Sequence, residues 1–80
     1  MTEVQLLKKI GQRIKDLREA KEMSQDSLGI AMSLNKSALK EYDKSNVSRL
    51  ESGRTNPRVF TLYRVAKALN VTLDELMKVE

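Results

Sequence analysis

The sequence predicts a single all-α domain, and three observations support that prediction. Apolar residues recur at spacings of three and four along most of the chain, which is the repeat of one helix face. No segment alternates apolar and polar residues with the period of two that marks a half-buried strand. Capping residues precede several of the periodic stretches, and one proline is present among 80 residues. A chain of this length forms one small domain with one modest core.

Two helices are predicted in the N-terminal half. The first runs from about Val4 to Lys21, and its apolar residues are spaced three or four apart: Val4, Leu7, Ile10, Ile14 and Leu17. The second begins at Gln25, because Ser24 supplies a capping hydroxyl just before it. Its apolar residues are Leu28, Ala31 and Met32.

Three further helices are predicted in the C-terminal half. The third spans about residues 43–52, with Asp43 as its capping residue and Gly53 as a left-handed stop. The fourth follows Asn56-Pro57, and its apolar face consists of Val59, Leu62, Val65, Ala66 and Leu69. The fifth is expected over about residues 73–80, after a capping box of Thr72 and Glu75.

The third helix carries the polar residues that point to a function. Val47 and Leu50 form a narrow apolar seam, and the rest of the surface is polar: Lys44, Ser45, Asn46, Ser48 and Arg49. Side chains of these types form hydrogen bonds with base edges and phosphates in the major groove of DNA. The distribution of charge supports binding to DNA. Residues 44–64 contain five basic residues and one acidic residue, whereas the whole chain contains 15 basic and 11 acidic residues. A polyanionic partner is therefore expected at this helix.

The composition argues against several other classes of protein. The chain contains neither cysteine nor histidine, so a disulfide, most zinc sites and the usual general base are not available. No base, metal set or glycine-rich phosphate loop points to an enzyme, and no cofactor is expected. No apolar run approaches the length of about 20 residues that spans a membrane. The N-terminus lacks the apolar core of a signal peptide, so a cytoplasmic protein is expected.

Four segments, taken in order, resemble the Cro/repressor-type (XRE) helix-turn-helix family. Residues 14–21 resemble its first helix, 23–28 the start of its second helix, 44–57 its recognition helix and following loop, and 62–76 its end. The resemblance covers nearly the whole chain. It implies one five-helix lambda-repressor-like DNA-binding domain over residues 1–80, which binds double-stranded DNA.

The chain departs from the family pattern by an insertion of about eight residues between helices two and three. Residues 34–41 parallel residues 42–49, as a local duplication would. Either Asn35 or Asp43 could then cap the recognition helix, and a single helix from Lys36 to Ser52 is the other possibility. Eight residues turn a helix face by about 80°, so the apolar positions of the two copies would not superpose. A break near Tyr42 is therefore favoured.

The resemblance assigns roles to individual residues. Those in the positions that read bases are Lys44, Ser45, Asn46 and Arg49. Those expected at phosphates are Gln25, Ser48, Arg54 and Arg58, with Lys9 and Arg13 as weaker candidates. Glu51 is expected to form a partly buried ion pair with Arg18, which orients the recognition helix.

The resemblance also implies a mode of action. A homodimer is expected to form through the fifth helix, with Leu73, Leu76 and Met77 in the interface. The protein would be a sequence-specific transcriptional regulator, either a repressor or an autoregulatory controller, that binds a pseudo-palindromic operator. The alternative is an antitoxin or another protein-interaction module with this fold, for which residues 34–41 would contact the protein partner.

Overall fold

The computed structural model describes residues 1–33 and 42–79, and these residues form five helices. The helices are α1 (Glu3–Ala20), α2 (Gln25–Met32), α3 (Lys44–Ser52), α4 (Val59–Leu69) and α5 (Leu73–Leu76). The all-α fold class and the order of the five helices are confirmed. None of these helices is long and apolar enough to cross a membrane.

Side-chain caps fix where most of the helices begin. The hydroxyl of Ser24 accepts the backbone N–H of Ser27, and the hydroxyl of Thr72 accepts that of Glu75. These caps satisfy N–H groups that have no partner inside the helix. Thr2 closes a further capping box at the start of α1, which the sequence analysis did not identify.

The start of α3 decides between the alternatives for residues 35–52. Asp43 has extended backbone angles (φ −138°, ψ −171°) and accepts the N–H groups of Ser45 and Asn46. The chain is therefore not helical at Asp43, and the single helix from Lys36 to Ser52 does not form. The proposed insertion, residues 34–41, lies outside the described residues.

One apolar core holds the helices together. Its fully buried members come from all five helices, and they are Ile14, Leu28, Met32, Val47, Val65, Leu69 and Leu76. α3 packs against both α1 and α2, and α4 packs against α2 and α5. The third helix is thereby held between two others, with its polar surface left outside.

Two glycines allow the helices around α3 to approach closely. A Cβ atom at Gly11 would lie 2.4 Å from the backbone oxygens of Leu50 and Glu51, at the C-terminal end of α3. A Cβ atom at Gly29 would lie 2.9 Å from the backbone of Asp43, which caps α3. The backbones of α1 and α2 therefore contact opposite ends of α3.

Hydrogen bonds fix the chain on both sides of residues 34–41. The Ser33 hydroxyl accepts the Tyr42 N–H at 2.9 Å and lies 3.1 Å from the Tyr42 carbonyl oxygen, to which it can donate. Arg64 of α4 donates to the carbonyl of Met32 at the end of α2, with Nε at 2.8 Å. Its guanidinium also lies 5.7 Å from the ring centres of Tyr42 and Phe60. These contacts position the residues that lead into α3.

The fifth helix differs from its prediction. It covers four residues rather than about eight, because the helix ends at Leu76 and Met77 is its C-cap. Leu76 is completely buried in the core of its own chain, so it is not available to a second copy. The expectation that Leu76 lies in a dimer interface is therefore corrected. Leu73 and Met77 are partly buried beside the same core.

Candidate DNA-binding surface

The outer face of α3 is polar because its apolar residues are three positions apart. Val47 and Leu50 point into the core and are buried. Lys44, Ser45 and Arg49 occupy other sides of the helix and are exposed. Their side chains form no hydrogen bond or ion pair within the described part of the chain.

A groove between the start of α2 and α3 collects most of the predicted DNA contacts. Its lining consists of Gln25, Lys44, Ser45, Ser48, Arg49 and Arg54. Each of these six residues was expected at bases or phosphates, although they come from two helices and a loop. We call this surface the recognition groove. It carries three positive charges and no negative charge among its lining residues.

A second concavity lies on the other side of α3. Asn46, Arg49 and Arg58 line it, together with the loop residues Thr55, Asn56 and Pro57. Arg49 lines both concavities, so it sits on the crest of the helix between them. The eight residues first assigned to bases or phosphates therefore line one concavity or the other. The two weaker candidates, Lys9 and Arg13, line neither and lie at a separate concavity beside Lys78 and Val79.

The Asn46 side chain helps to cap the start of α3, a role that was not predicted from the sequence. Its side-chain oxygen accepts the backbone N–H of Asp43 at 2.9 Å, while its own N–H donates to Asp43 at 3.2 Å. This reciprocal capping box occupies the acceptor of the Asn46 amide. The amide nitrogen is the group left to donate to a base.

The loop after α3 is shaped by Gly53, which has φ +75°. This left-handed residue turns the chain so that the Arg54 N–H bonds the Arg49 carbonyl at 3.1 Å. The Arg54 side chain donates from Nε to the Ser52 hydroxyl at 2.8 Å, which directs it along the end of α3. Arg58 is the N-cap residue of α4, and its side chain makes no capping hydrogen bond.

Arg18 and Glu51 form the ion pair expected between α1 and α3. Arg18 Nε lies 2.6 Å from Glu51 Oε2, and Nη2 lies 3.2 Å from Oε1. Both side chains are almost fully enclosed, with 10% and 5% of their surfaces exposed. The hydrogen bond to Glu51 raises the pKa of Arg18, although burial opposes this, so the guanidinium stays charged. Arg18 also donates to the Met23 carbonyl at 2.7 Å, which ties down the turn before α2.

Two arginines that the sequence placed in or near the basic surface hold the fold together. Arg13 donates from Nε and Nη2 to the Glu75 carbonyl, at 3.0 and 2.9 Å, and so joins α1 to α5. Arg64 bonds the end of α2, as described above. Their acceptors are backbone carbonyls 62 and 32 residues away, and residue types and spacing give no sign of such partners.

The fold and this surface together define the class of protein. Two successive helices, α2 and α3, present one polar, basic helix face outward, which is the arrangement of a helix-turn-helix DNA-binding protein. The profile of the helix-turn-helix family HTH_3 matches residues 14–76. The chain belongs to this Cro/C1-type family of DNA-binding transcriptional regulators, whose members are not enzymes.

Solved structures of three other proteins are similar to this chain, one of them at more than 30% sequence identity. The restriction-modification controller protein C.AhdI from Aeromonas hydrophila is 33% identical, with a TM-score of 0.75 over 88% of this chain and 94% of that one. The clp gene regulator ClgR from C. glutamicum is 21% identical, with a TM-score of 0.76 over 90% and 83%. An HTH_3 family transcriptional regulator from Vibrio cholerae is 21% identical, with a TM-score of 0.77 over 94% and 38%. The last two show the shared fold. No curated protein sequence gave a significant match.

Proposed function

We propose that this protein is a homodimeric transcriptional regulator that binds a pseudo-palindromic operator, either as a repressor or as an autoregulatory controller. The observation that carries the proposal is the similarity to C.AhdI. It includes 94% of that restriction-modification controller protein at 33% identity. The match therefore extends over nearly the whole of a controller and is not confined to the helix-turn-helix.

The recognition groove supports reading of bases by α3. Lys44 and Arg49 carry donors that suit the O6 and N7 acceptors of guanine, and Ser45 adds an adaptable hydrogen bond. Asn46 contributes its amide nitrogen. Gln25, Ser48, Arg54 and Arg58 surround these residues in the two concavities, where they would bind phosphates on either side of the groove.

The test is a DNA titration with the purified protein. Binding to the DNA upstream of its own gene is compared with binding to a scrambled duplex of the same length, over a range of salt concentrations. We expect tighter binding to the upstream DNA and a negative slope of log affinity against log salt, because bound lysines and arginines release counterions.

Variants show whether α3 reads the bases. Arg49→Ala should weaken specific binding about tenfold to a hundredfold, since a good contact to a base discriminates by about 1–3 kcal/mol. Lys21→Ala is the matched control, because Lys21 is an exposed basic residue that lines neither concavity. Equal, weak binding to both duplexes would contradict the proposal and favour a protein-interaction module.

The homodimer requires an interface that leaves the outer face of α3 free, and we assign it to an apolar groove between the start of α1 and the end of α5. Met1, Leu6, Met77 and Val79 line this groove, with Asp74 and Lys78 beside them. We call it the end groove. It shares no lining residue with the two concavities around α3. A second copy seated there would bury apolar surface that is otherwise exposed to water.

A further inference from the structure

Gln25 is not a free side chain at the mouth of the recognition groove. Its Nε2 atom lies 3.0 Å from Glu51 Oε1, and it donates a hydrogen bond there. Glu51 belongs to α3, and its carboxylate is already bound by the Arg18 guanidinium of α1. Three helices are therefore linked by one chain of polar contacts that ends at a groove-lining residue.

The carboxylate of Glu51 also sets which way the Gln25 amide faces. A carboxylate accepts hydrogen bonds and does not donate them, so only the NH₂ side of the amide can point towards it. The Gln25 oxygen is therefore directed away from Glu51. The second amide hydrogen is the remaining donor that Gln25 can offer to DNA.

Arg18 keeps this acceptor in one place. Two bonds from its guanidinium fix the plane of the Glu51 carboxylate, as expected of a bidentate pair. The surface of the Glu51 side chain is 5% exposed, so water competes little for its oxygens. A glutamine side chain loses rotational freedom when it is ordered on binding. In this protein Gln25 is ordered before DNA arrives, which lowers that loss.

From these contacts we infer that Glu51 is a positioning residue for DNA binding, and that it acts through Gln25. Glu51 touches no DNA in this role. It holds the Gln25 amide so that the free N–H meets a phosphate oxygen, while Arg18 holds Glu51. This inference rests on the proposed DNA-binding function, and it adds a role to an ion pair that otherwise only joins α1 to α3.

A double-mutant cycle tests the inference. Affinity for the upstream duplex is measured for the wild type, Gln25→Ala, Glu51→Met and the double variant, each at a temperature where it is folded. Gln25→Ala should weaken binding about tenfold, as expected for one hydrogen bond to a charged group. The factor by which Glu51→Met weakens binding should shrink about fivefold or more when Gln25 is already alanine, because the two residues act in series. Methionine is chosen because a glutamine at this position would keep an oxygen that accepts the Gln25 N–H.

The cycle separates positioning from a purely structural role. If Glu51→Met weakens binding by the same factor in both backgrounds, the inference is wrong, whatever happens to the melting temperature. If the wild type does not prefer the upstream duplex, the proposed function fails and the inference fails with it. A wild type that binds specifically and shows no coupling overturns the inference alone.

The salt dependence gives an independent readout on DNA. Gln25 is neutral and releases no counterion, so Gln25→Ala should weaken binding and leave the log–log salt slope unchanged. Arg54→Ala is the matched comparison from the same groove, and it should lower the magnitude of the slope by about 2, because each of the two subunits of the dimer loses one phosphate contact. A Gln25→Ala slope that changes as much as that of Arg54→Ala would contradict the proposed neutral contact.

A measurement on the free wild-type protein covers the case in which Glu51→Met does not fold. Hydrogen exchange of side-chain amides by NMR should show a slow proton on Gln25 Nε2. Gln12 is the internal control, because its Nε2 also donates to a carboxylate, that of Asp16 at 2.9 Å, but in an exposed pair. Gln25 protons that exchange as fast as those of Gln12 would mean that Glu51 does not hold the amide, and would overturn the inference.

Discussion

At the scale of single residues, Arg18 shows how a charge is kept inside a small apolar core. Its guanidinium meets the Glu51 carboxylate and the Met23 carbonyl, so its donors have partners where water is largely excluded. No buried side-chain nitrogen or oxygen in the described residues lacks a hydrogen-bond partner. Such a pair contributes little net stability compared with apolar residues, but removal of one partner leaves the other charge buried and unpaired.

Arg18→Ala should therefore lower the free energy of unfolding by about 3–5 kcal/mol. Urea denaturation measures this change directly. Lys15→Ala on the same helix is the control, because Lys15 is exposed and forms no ion pair among the described residues. An Arg18→Ala midpoint equal to that of the wild type would show that the pair is not needed. The pKa of Arg18 is raised by its hydrogen bond to Glu51, so the stability that its charge contributes is lost only as the pH rises through that raised pKa; raising the pH from 7 to about 10 should leave this contribution unchanged.

At the scale of helices, the position of α3 is set by contacts at both of its ends. Gly11 of α1 lies against the backbone of Leu50 and Glu51, and Gly29 of α2 lies against Asp43. Neither approach leaves room for a methyl group. α3 is thus held by backbone packing in addition to its two buried apolar side chains.

Gly11→Ala should destabilise the protein by about 1–3 kcal/mol, because the added Cβ overpacks a backbone contact. The sign of this stability change is informative, since alanine in the middle of a helix would otherwise stabilise the helix by about 0.5–1 kcal/mol relative to glycine. Thermal unfolding followed by circular dichroism measures the shift. Lys15→Ala, at an exposed position of the same helix whose side chain forms no ion pair among the described residues, is the control for helix propensity. A Gly11→Ala protein more stable than the wild type would show that α1 does not lie as close to α3 as described.

At the scale of the whole molecule, two exposed apolar surfaces compete as the dimer interface. One is the end groove, and the other is the outer face of α4, where the Phe60 and Tyr63 rings stack with centres 6.0 Å apart. The proposed homodimer uses the end groove, which includes Met77, one of the residues expected there from the sequence. A homodimer that binds half-sites on successive turns of DNA requires its two α3 helices to lie about 34–36 Å apart.

Leu6→Glu should shift the protein from dimer to monomer, because it places a charge in the apolar end groove. Analytical ultracentrifugation over a range of concentrations measures the dimer dissociation constant, which we expect to rise by about tenfold or more. Phe60→Glu is the matched variant on the other surface, since both residues are exposed in the first half of a helix. A dimer disrupted by Phe60→Glu and preserved in Leu6→Glu would move the interface to α4.

Much of this fold could be predicted from the sequence because the signals are local. The apolar spacing identified α4, whose predicted face is buried at Leu62, Val65, Ala66 and Leu69, and Ser24, Asp43 and Thr72 marked the starts of three helices correctly. Val59, which was predicted on the same face, is instead 72% exposed, because it lies in the first turn of α4, beyond the reach of the core. The predicted DNA contacts also lie together in the structure, since a helix of known start has a known outer face. The fifth helix was predicted too long, because propensity and capping identify a start more surely than an end.

Tertiary structure decided what depends on partners distant in the chain. Leu76 looked like surplus apolar surface at a chain end, yet it fills the core, because Arg13 holds the end of α5 against α1. The link from Arg18 through Glu51 to Gln25 joins three helices across 33 and 26 positions of sequence. The sequence by itself therefore determined the helices and the residues on the reading face. Their burial, orientation and coupling follow from packing, because each depends on groups that only the folded chain brings within hydrogen-bond distance.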